Sequence, residues 1–278
     1  MSAYIQTNYN LNDETTVSVM DELSLWSAPF GLKLLEKINY NKNISVLDIG
    51  SGLGFPLLEI AMRLGNSCKV YGIDPWDMAI ERIKTKIKIY GINNVELFCG
   101  VAEKIPLPDS SINLIVSNNG LNNVNDLSFV LSECSRIAKS GTQFVFTYNT
   151  EKTMIELYSA FEEILNKWNM FNEIDQMKEH IYKKRKPLDE YLALLERNGF
   201  RVNEIVNDEF SYRFVDAQSM FNHFLIKLAF LGSWLDFIPE ERQGEILAET
   251  ETLLNRNVRE NCSLELTVPF ILIDCFKA

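Results

Sequence analysis

VLDIGSGLGFPLLEIA, running from Val46 to Ala61, decides the fold. An apolar run, Ile44–Ile49, reads as a first strand with Asp48 near its end. Three glycines then fall at alternate positions, Gly50, Gly52 and Gly54. Leu57, Leu58, Ile60, Ala61 and Leu64 follow with helical spacing. Pro56 sits at the first helical turn, where its missing N–H costs nothing, and Gly65 predicts the stop. Strand, bare turn, helix is a place where the backbone can come very close to another group. The glycines can also serve the turn alone.

The rhythm repeats outward. KVYGID (Lys69–Asp74) predicts a second strand, VELFCG (Val95–Gly100) a third, INLIVSNN (Ile112–Asn119) a fourth and TQFVFTYN (Thr142–Asn149) a fifth. DMAIERIKTKIKIYG sets Ile80, Ile83 and Ile87 on one helix face and ends at Gly91. Leu127, Val130, Leu131, Cys134 and Ile137 predict another helix. Alternating strands and helices imply right-handed crossovers and an α/β, doubly wound, mostly parallel sheet. Beyond Asn149, helical patterns cover roughly 151–182 and 187–198, split by KKRKP. FRVNEIV (Phe200–Val206) predicts a strand, residues 216–257 a helical block, and the run from Leu264 a last strand, seven in all. Upstream, DELSLWSAPFGLKLLEKI predicts two short helices broken at Pro29 and Gly31.

Composition removes several classes. The net charge of −11 argues against a free nucleic-acid binder. The five cysteines are odd in number and include no C-x-x-C pair. That spacing disfavours a disulfide framework and a zinc site, and fits a reducing compartment. MSAYIQTNYNLND shows no secretion signal. FNHFLIKLAFLGSWLDFI is interrupted by Asn222, His223, Lys227 and Asp236, so no membrane span is expected. The expected location is cytoplasmic.

Ligands of open α/β sheets bind outside the carboxyl ends of the strands, where the glycines lie. A dinucleotide fingerprint would read G-x-G-x-x-G/A, but Phe55 stands at its third glycine. That weakens an NAD reading, and no Gly-Lys-Ser/Thr follows to make a phosphate loop. Asp74 closes the second strand about twenty residues beyond Gly54. A carboxylate there can accept both hydroxyls of an unphosphorylated ribose and would repel a 2′-phosphate. The ligand therefore reads as an adenosine derivative with a free ribose. Asp74 can alternatively be a helix N-cap.

With these residues in view, the sequence resembles the class I S-adenosylmethionine-dependent methyltransferases. The resemblance covers roughly Ile44–Asn149 and is carried by VLDIGSGLG, VYGID and CGVAEKIPLPDSSINLIVSNN. The third segment resembles the small-molecule, quinone-biosynthesis-like branch. The resemblance implies a Rossmann-like methyltransferase fold with helical insertions forming a cap. It divides the chain into an N-terminal helical cap segment (1–43), a cofactor-binding core (44–150) and a remainder (151–278). That remainder would hold the rest of the sheet and insertions covering the substrate pocket, within a single domain overall. It further implies that Gly50, Gly52 and Gly54 line the methionine half of S-adenosyl-L-methionine. Asp48 would sit beneath the ammonium group, Asp74 would hold the ribose and Trp76 would pack on adenine. Val101, Ala102 and Glu103 would border the adenine edge, and Asn118 would offer its carbonyl to the amino end. Two positions depart from the pattern. Val101 stands where Asp is frequent, so a side-chain bond to adenine gives way to a backbone one; Asn113 replaces a frequent Asp.

SNNGLNN (Ser117–Asn123) lacks the Asn/Asp-Pro-Pro-aromatic motif of enzymes that methylate amino groups of nucleic acids and glutamine. Asn119 is read as shaping the turn, with a substrate contact as the alternative. Of the two histidines, His180 and His223, the second is the candidate general base, because it lies in the apolar insertion. KKRK (Lys183–Lys186) reads as a solvated helix end, or alternatively as a contact for an anionic substrate. Trp26, Phe30, Phe221, Phe224, Phe230 and Trp234 read as core or lid surface, or alternatively as contacts for a flat apolar substrate. The expected function is methyl transfer to a small-molecule acceptor by in-line displacement, with no metal. A base is needed only where the acceptor must lose a proton. The rivals are a non-catalytic binder of S-adenosylmethionine or S-adenosylhomocysteine and, disfavoured by Phe55, an NAD-dependent oxidoreductase. Acceptor atom and oligomeric state are left open.

Overall fold

A computed structural model describes residues 9–22, 25–261 and 263–278. Cys262 and the start of the N-terminal segment, residues 1–8, lie outside the described residues. Helices α1 (Glu14–Glu22) and α2 (Ser27–Lys37) come first. Pro29 and Gly31 lie inside α2 and do not break it, which corrects the sequence reading. Pro29 falls in the first turn, where an N–H would have no helical acceptor. Gly31 is small because a Cβ there would collide with the Phe55 ring and crowd Asn118. The residue that spoils a dinucleotide fingerprint thus fills a notch in α2.

The alternating core then follows closely as read. It comprises β1 (Ser45–Ile49), α3 (Leu57–Leu64), β2 (Lys69–Asp74), α4 (Asp77–Tyr90), β3 (Val95–Cys99) and β4 (Ile112–Asn118), then α5 (Leu127–Ile137) and β5 (Ala138–Asn149). Gly65 ends α3 and Gly91 ends α4. Asp126 caps α5, its side chain accepting from the Ser128 and Phe129 N–H groups.

Differences from the sequence reading concentrate after Asn149. The pattern over 151–182 is two helices, α6 (Ile155–Lys167) and α7 (Phe171–Lys184). They part at Asn169, which takes a left-handed φ of 57° that asparagine tolerates. Next come α8 (Leu188–Arg197) and β6 (Phe200–Phe214), twice the length expected. β6 lies at the sheet edge with no fully buried residue beyond Phe200, and it continues through the alternation Phe210, Tyr212 and Phe214, which the sequence reading stopped short of. The following block is broken into α9 (Ala217–Asn222), α10 (Phe224–Ile226), a π-helical turn (Lys227–Leu231), α11 (Gly232–Leu235) and α12 (Glu240–Asn261). β7 (Leu264–Lys277) closes the chain.

The seven strands order as β3-β2-β1-β4-β5-β7-β6. The first five in that order run parallel, and β7 runs antiparallel to β5. The order reverses at β1, which pairs β2 on one side and β4 on the other. The loops after β1 and β4 therefore leave the sheet side by side and open a crevice.

Contacts group the chain into two compact units. The sheet unit holds Asn10–Asn149, Lys186–Asp208 and Phe270–Ala278. Apolar clusters cover both its faces, one around Leu47, Ile115, Leu131 and Phe146, the other around Val46, Leu114, Leu57 and Ile83. Burial on both faces explains why the central strands read as unbroken apolar runs. The helical unit holds Thr150–Arg185 and Glu209–Pro269, with Tyr9. Leu157, Phe161, Phe221, Trp234, Ile246 and Leu254 are buried in it, so Phe221 and Trp234 are core residues. KKRK is not uniformly solvated: Lys183 and Lys184 are exposed, but Arg185 is buried.

Candidate functional site

The glycine turn is built by backbone hydrogen bonds to the neighbouring strand. The N–H groups of Gly50 and Ser51 both donate to the Ile73 carbonyl, at 2.9 and 3.2 Å. Gly54 N–H donates back to Ser51 at 2.8 Å, closing the turn before α3. Gly50 and Gly52 take φ of 72° and 48°, the left-handed region where a Cβ is strained. At Gly50 a Cβ would also stand 2.9 Å from the Cα of Gly120. At Gly52 it would meet nothing within 4 Å. Gly52 is bare toward open space, whereas Gly50 is bare because two loops touch.

Asp74 fastens this turn. One carboxylate oxygen accepts from Gly52 N–H at 2.8 Å and the other from Trp76 N–H at 2.9 Å. A carboxylate has about four acceptor positions, and the protein uses two. The bond to Trp76 is a local turn, and the α4 N-cap position belongs to Trp76, so Asp74 is not the helix N-cap that the alternative reading offered. The Trp76 indole N–H donates to the Leu11 carbonyl at 3.0 Å, tying the segment ahead of α1 to this rim.

Asp48 lies deeper. Its side chain is fully buried and neither carboxylate oxygen has a hydrogen-bond partner. Burial first, and the Asp74 charge second, push its pKa well above the usual carboxylate value. The Leu57 N–H at the start of α3 pulls the other way, from outside hydrogen-bond geometry. A buried acid without a donor is an expensive feature for a fold to keep.

A cavity of about 450 Å³ opens at this edge, within the range of small-molecule and cofactor sites. It brings together Gly50, Gly52, Asp74, Trp76, Val101, Ala102, Glu103 and Asn118, the greater part of the set named from sequence. Asp48 and Gly54 are not in its lining. A Cβ at Gly54 would press on Leu58 and Ile83, so this glycine serves the packing of α3 and α4. The Asn118 amide donates to the Ser27 carbonyl and its oxygen accepts from Thr147, so its side chain braces β4. Glu103 accepts from the N–H groups of Asn125 and Asp126, joining two loops of the rim. Asn119 also lines the cavity, but its left-handed φ of 59° and its bond from Asn149 N–H fit the turn-shaping role.

Sequence reasoning missed Gly100, Gly120 and Asn123–Asn125, and did not place Trp26 in this wall. A Cβ at Gly120 would fall 2.6 Å from the Ile49 carbonyl. The signal was present as the single glycine in SNNGLNN, but a lone loop glycine carries no direction.

His223 belongs to the helical unit and is not in this lining. Its Nδ1 is buried without a partner, and its ring meets Phe214 edge-on at 5.4 Å. His180 is half-buried and its pKa is lowered, by burial first and then by the charges of Arg185 and Lys184. Cys68, Cys99, Cys134 and Cys275 are free thiols. Among the described residues no cluster has metal-ligand grouping, and no helix is long and apolar enough to cross a membrane.

A family model described as a methyltransferase domain matches residues 40–219, more than half of the chain. A demethylmenaquinone methyltransferase from Geobacillus stearothermophilus is 31% identical over 121 residues, 44% of this chain and 52% of its own. The chain spans about half the length of the curated relatives it matches. Among solved structures, an S-adenosylmethionine-dependent methyltransferase from Aquifex aeolicus is similar at a TM-score of 0.50 and 22% identity, over 70% of this chain and 92% of that one. Geranyl diphosphate C-methyltransferase from Streptomyces coelicolor A3(2) reaches 0.56 at 14% identity, over 100% and 88%. At such identities these two likenesses establish the fold.

Proposed function

The chain belongs to the methyltransferase-domain family that its residues 40–219 match, and from that premise we propose that it transfers a methyl group from S-adenosyl-L-methionine to a small-molecule acceptor. The observation that carries the reading is Asp74. Its carboxylate is held at the cavity rim by two backbone N–H groups and keeps acceptor capacity for two ribose hydroxyls.

The residues fit the cofactor. Gly52 leaves open space at the turn, Trp76 and Ala102 offer apolar surface for a purine, and the orphaned Asp48 carboxyl beneath the turn would be drawn to its ionised form by an ammonium group. S-adenosylmethionine, when bound, supplies an already activated methyl on a sulfonium, open to in-line displacement. The chain's share is then alignment and exclusion of water. An acceptor hydroxyl, thiol or carbon acid must also lose a proton, and His223, with its unpartnered buried Nδ1, is the group we assign to take it. The acidic balance and the missing proline motif support a small molecule over nucleic acid as acceptor. Cysteine usage supports a cytoplasmic setting.

Calorimetry with S-adenosylhomocysteine and NAD tests the cofactor. Saturable binding of the first alone is expected, and binding of NAD alone would overturn the reading. Incubation with labelled S-adenosylmethionine and a metabolite extract tests the activity. Label in a small-molecule product is expected. Tight cofactor binding without product from any extract would favour the non-catalytic rival.

A further inference from the structure

We propose that Arg185 is the receptor for the oxyanion group, carboxylate or phosphoryl, of a small molecule bound in the helical unit. Helix α7 ends in a basic run, and the residue just past its end turns inward. Arg185 is 6% exposed. Its backbone N–H closes the helix on the Ile181 carbonyl at 2.9 Å. Its Nη1 is buried with no hydrogen-bond partner. Among the described residues its guanidinium meets no carboxylate within ion-pair distance; its sole charge-directed contact is with the ring of Tyr158, at 5.5 Å from the centroid. Tyr158 is itself buried, and its hydroxyl accepts from the Trp234 indole at 3.2 Å. The ring that the guanidinium lies over is therefore held in place.

A chain with 38 acidic and 27 basic residues does not lack counter-ions. Lys178 pairs with Glu162, Lys183 with Glu179 and Lys167 with Glu249 in the same unit. Those pairs are on the surface, where they are worth little. Among the described residues Arg185, where a pair would matter, has none. A buried lysine can shed its proton, but a guanidinium stays charged at any pH a protein survives. Contact with one aromatic face compensates only part of an uncompensated buried charge. Among the described residues nothing supplies the counter-charge, and an oxyanion from outside the chain would supply it. A planar fork of N–H donors matches the two oxygens of a carboxylate or phosphoryl group. This site goes beyond the methyl-transfer reading and does not depend on it.

Thermal unfolding of the full chain tests it, with sodium phosphate, sodium diphosphate or sodium acetate against sodium chloride at matched ionic strength. Wild type should show a saturable rise in Tm with at least one oxyanion, and the stronger of phosphate and acetate tells phosphoryl from carboxylate recognition. Arg185→Met keeps volume and removes the charge. It should unfold at a higher temperature than wild type in chloride and lose the saturable rise. Non-specific stabilisation by excluded anions is common to both proteins and cancels in the difference. Arg185→Lys guards against a Met variant that fails to fold, and should need at least about tenfold more oxyanion for half-saturation. The proposal is overturned by a wild type that responds to no oxyanion beyond chloride. It is equally overturned by Arg185→Met or Arg185→Lys variants whose half-saturation equals wild type, which would place the anion elsewhere.

Discussion

Among the described residues each unit buries a group of the Asp or Arg type with side-chain atoms that no hydrogen-bond partner meets, and the two differ in sign. In the sheet unit it is Asp48, fully buried with both oxygens unpartnered. In the helical unit it is Arg185. Other buried polar groups show what satisfaction looks like here. Asp274 accepts from Gln143 and Asn203, and Asp74 from two backbone N–H groups. The difference between the two orphans is chemical. Asp48 can escape its predicament by taking up a proton, and its raised pKa records that. Arg185 has no such escape. An empty sheet-unit site is thus tolerable at low pH, whereas an empty helical-unit site is costly at every pH.

The largest expected effect attacks the sheet unit through its best-satisfied acid. Asp74→Ala removes the acceptor of two backbone N–H groups as well as the proposed ribose partner. Hydrogen bonds to a charged group are worth roughly 1.5–3 kcal/mol each. Affinity for S-adenosylhomocysteine by calorimetry should fall about 100-fold or more. Wild-type affinity would break the ribose assignment.

Asp48→Asn separates function from stability, as the comparison requires. The folded-state pKa lies above the unfolded one, so Asp48 contributes stability that is fully present below the unfolded value and lost as pH rises through the folded value. Above its folded-state value the ionised acid is a burden. The amide should stabilise the empty protein by about 1–3 kcal/mol at pH 7 and weaken cofactor binding. Denaturant unfolding of both proteins across pH reads it. The variant's advantage should shrink as pH falls, and an advantage that grows at low pH would contradict the assignment.

The glycine turn offers a smaller, finer contrast. Gly52→Ala places a Cβ in the open space of the turn, and Gly54→Ala presses one on Leu58 and Ile83. Both pay the left-handed strain of about 1–2 kcal/mol. Gly52→Ala should lose roughly tenfold in S-adenosylhomocysteine affinity beyond that shared strain. Gly54→Ala should lose stability with affinity nearly kept. Equal affinity losses would return Gly54 to the cofactor's side.

Much of this comparison's first half was legible in the sequence, and almost none of its second. β1, β2 and β4 are buried on both faces, so apolar runs marked them, and glycines marked their turns. Asp48, Asp74 and Trp76 could be named because the site is built from loops adjacent in sequence to those strands. β6 was read short although Phe210, Tyr212 and Phe214 alternate in its second half, because on an edge strand the apolar residues are half-buried and stand between polar ones instead of forming an unbroken run. Gly31 and Phe55 were each read as anomalies, because their fit is a contact across sequence distance. Arg185 was hidden among three lysines, since charge alone does not say which member of a basic run turns inward.

The smallest effect probes the field that Arg185 creates. His180 and Arg185 belong to the same unit, and the ring's pKa is lowered by burial first, then by the charges of Arg185, Lys184 and Lys183, with Asp236 opposing them. Well above pH 6.5 the ring is neutral in both folded and unfolded chains, and it contributes no pH dependence. As pH falls below that value the unfolded chain binds the proton first. Stability is therefore lost as pH falls toward the folded-state value, by a few degrees in Tm at most for a half-exposed ring. His180→Gln should remove this slope. Because the chain has only two histidines, proton NMR can follow His180 directly. An oxyanion seated on Arg185 cancels part of the repelling charge, so diphosphate should raise the His180 midpoint in wild type. The same addition should leave it unmoved in Arg185→Met, whose own midpoint should already lie higher. A midpoint that ignores both the anion and the substitution would mean that the guanidinium's charge is answered within the chain, and the contrast between the two orphans would disappear.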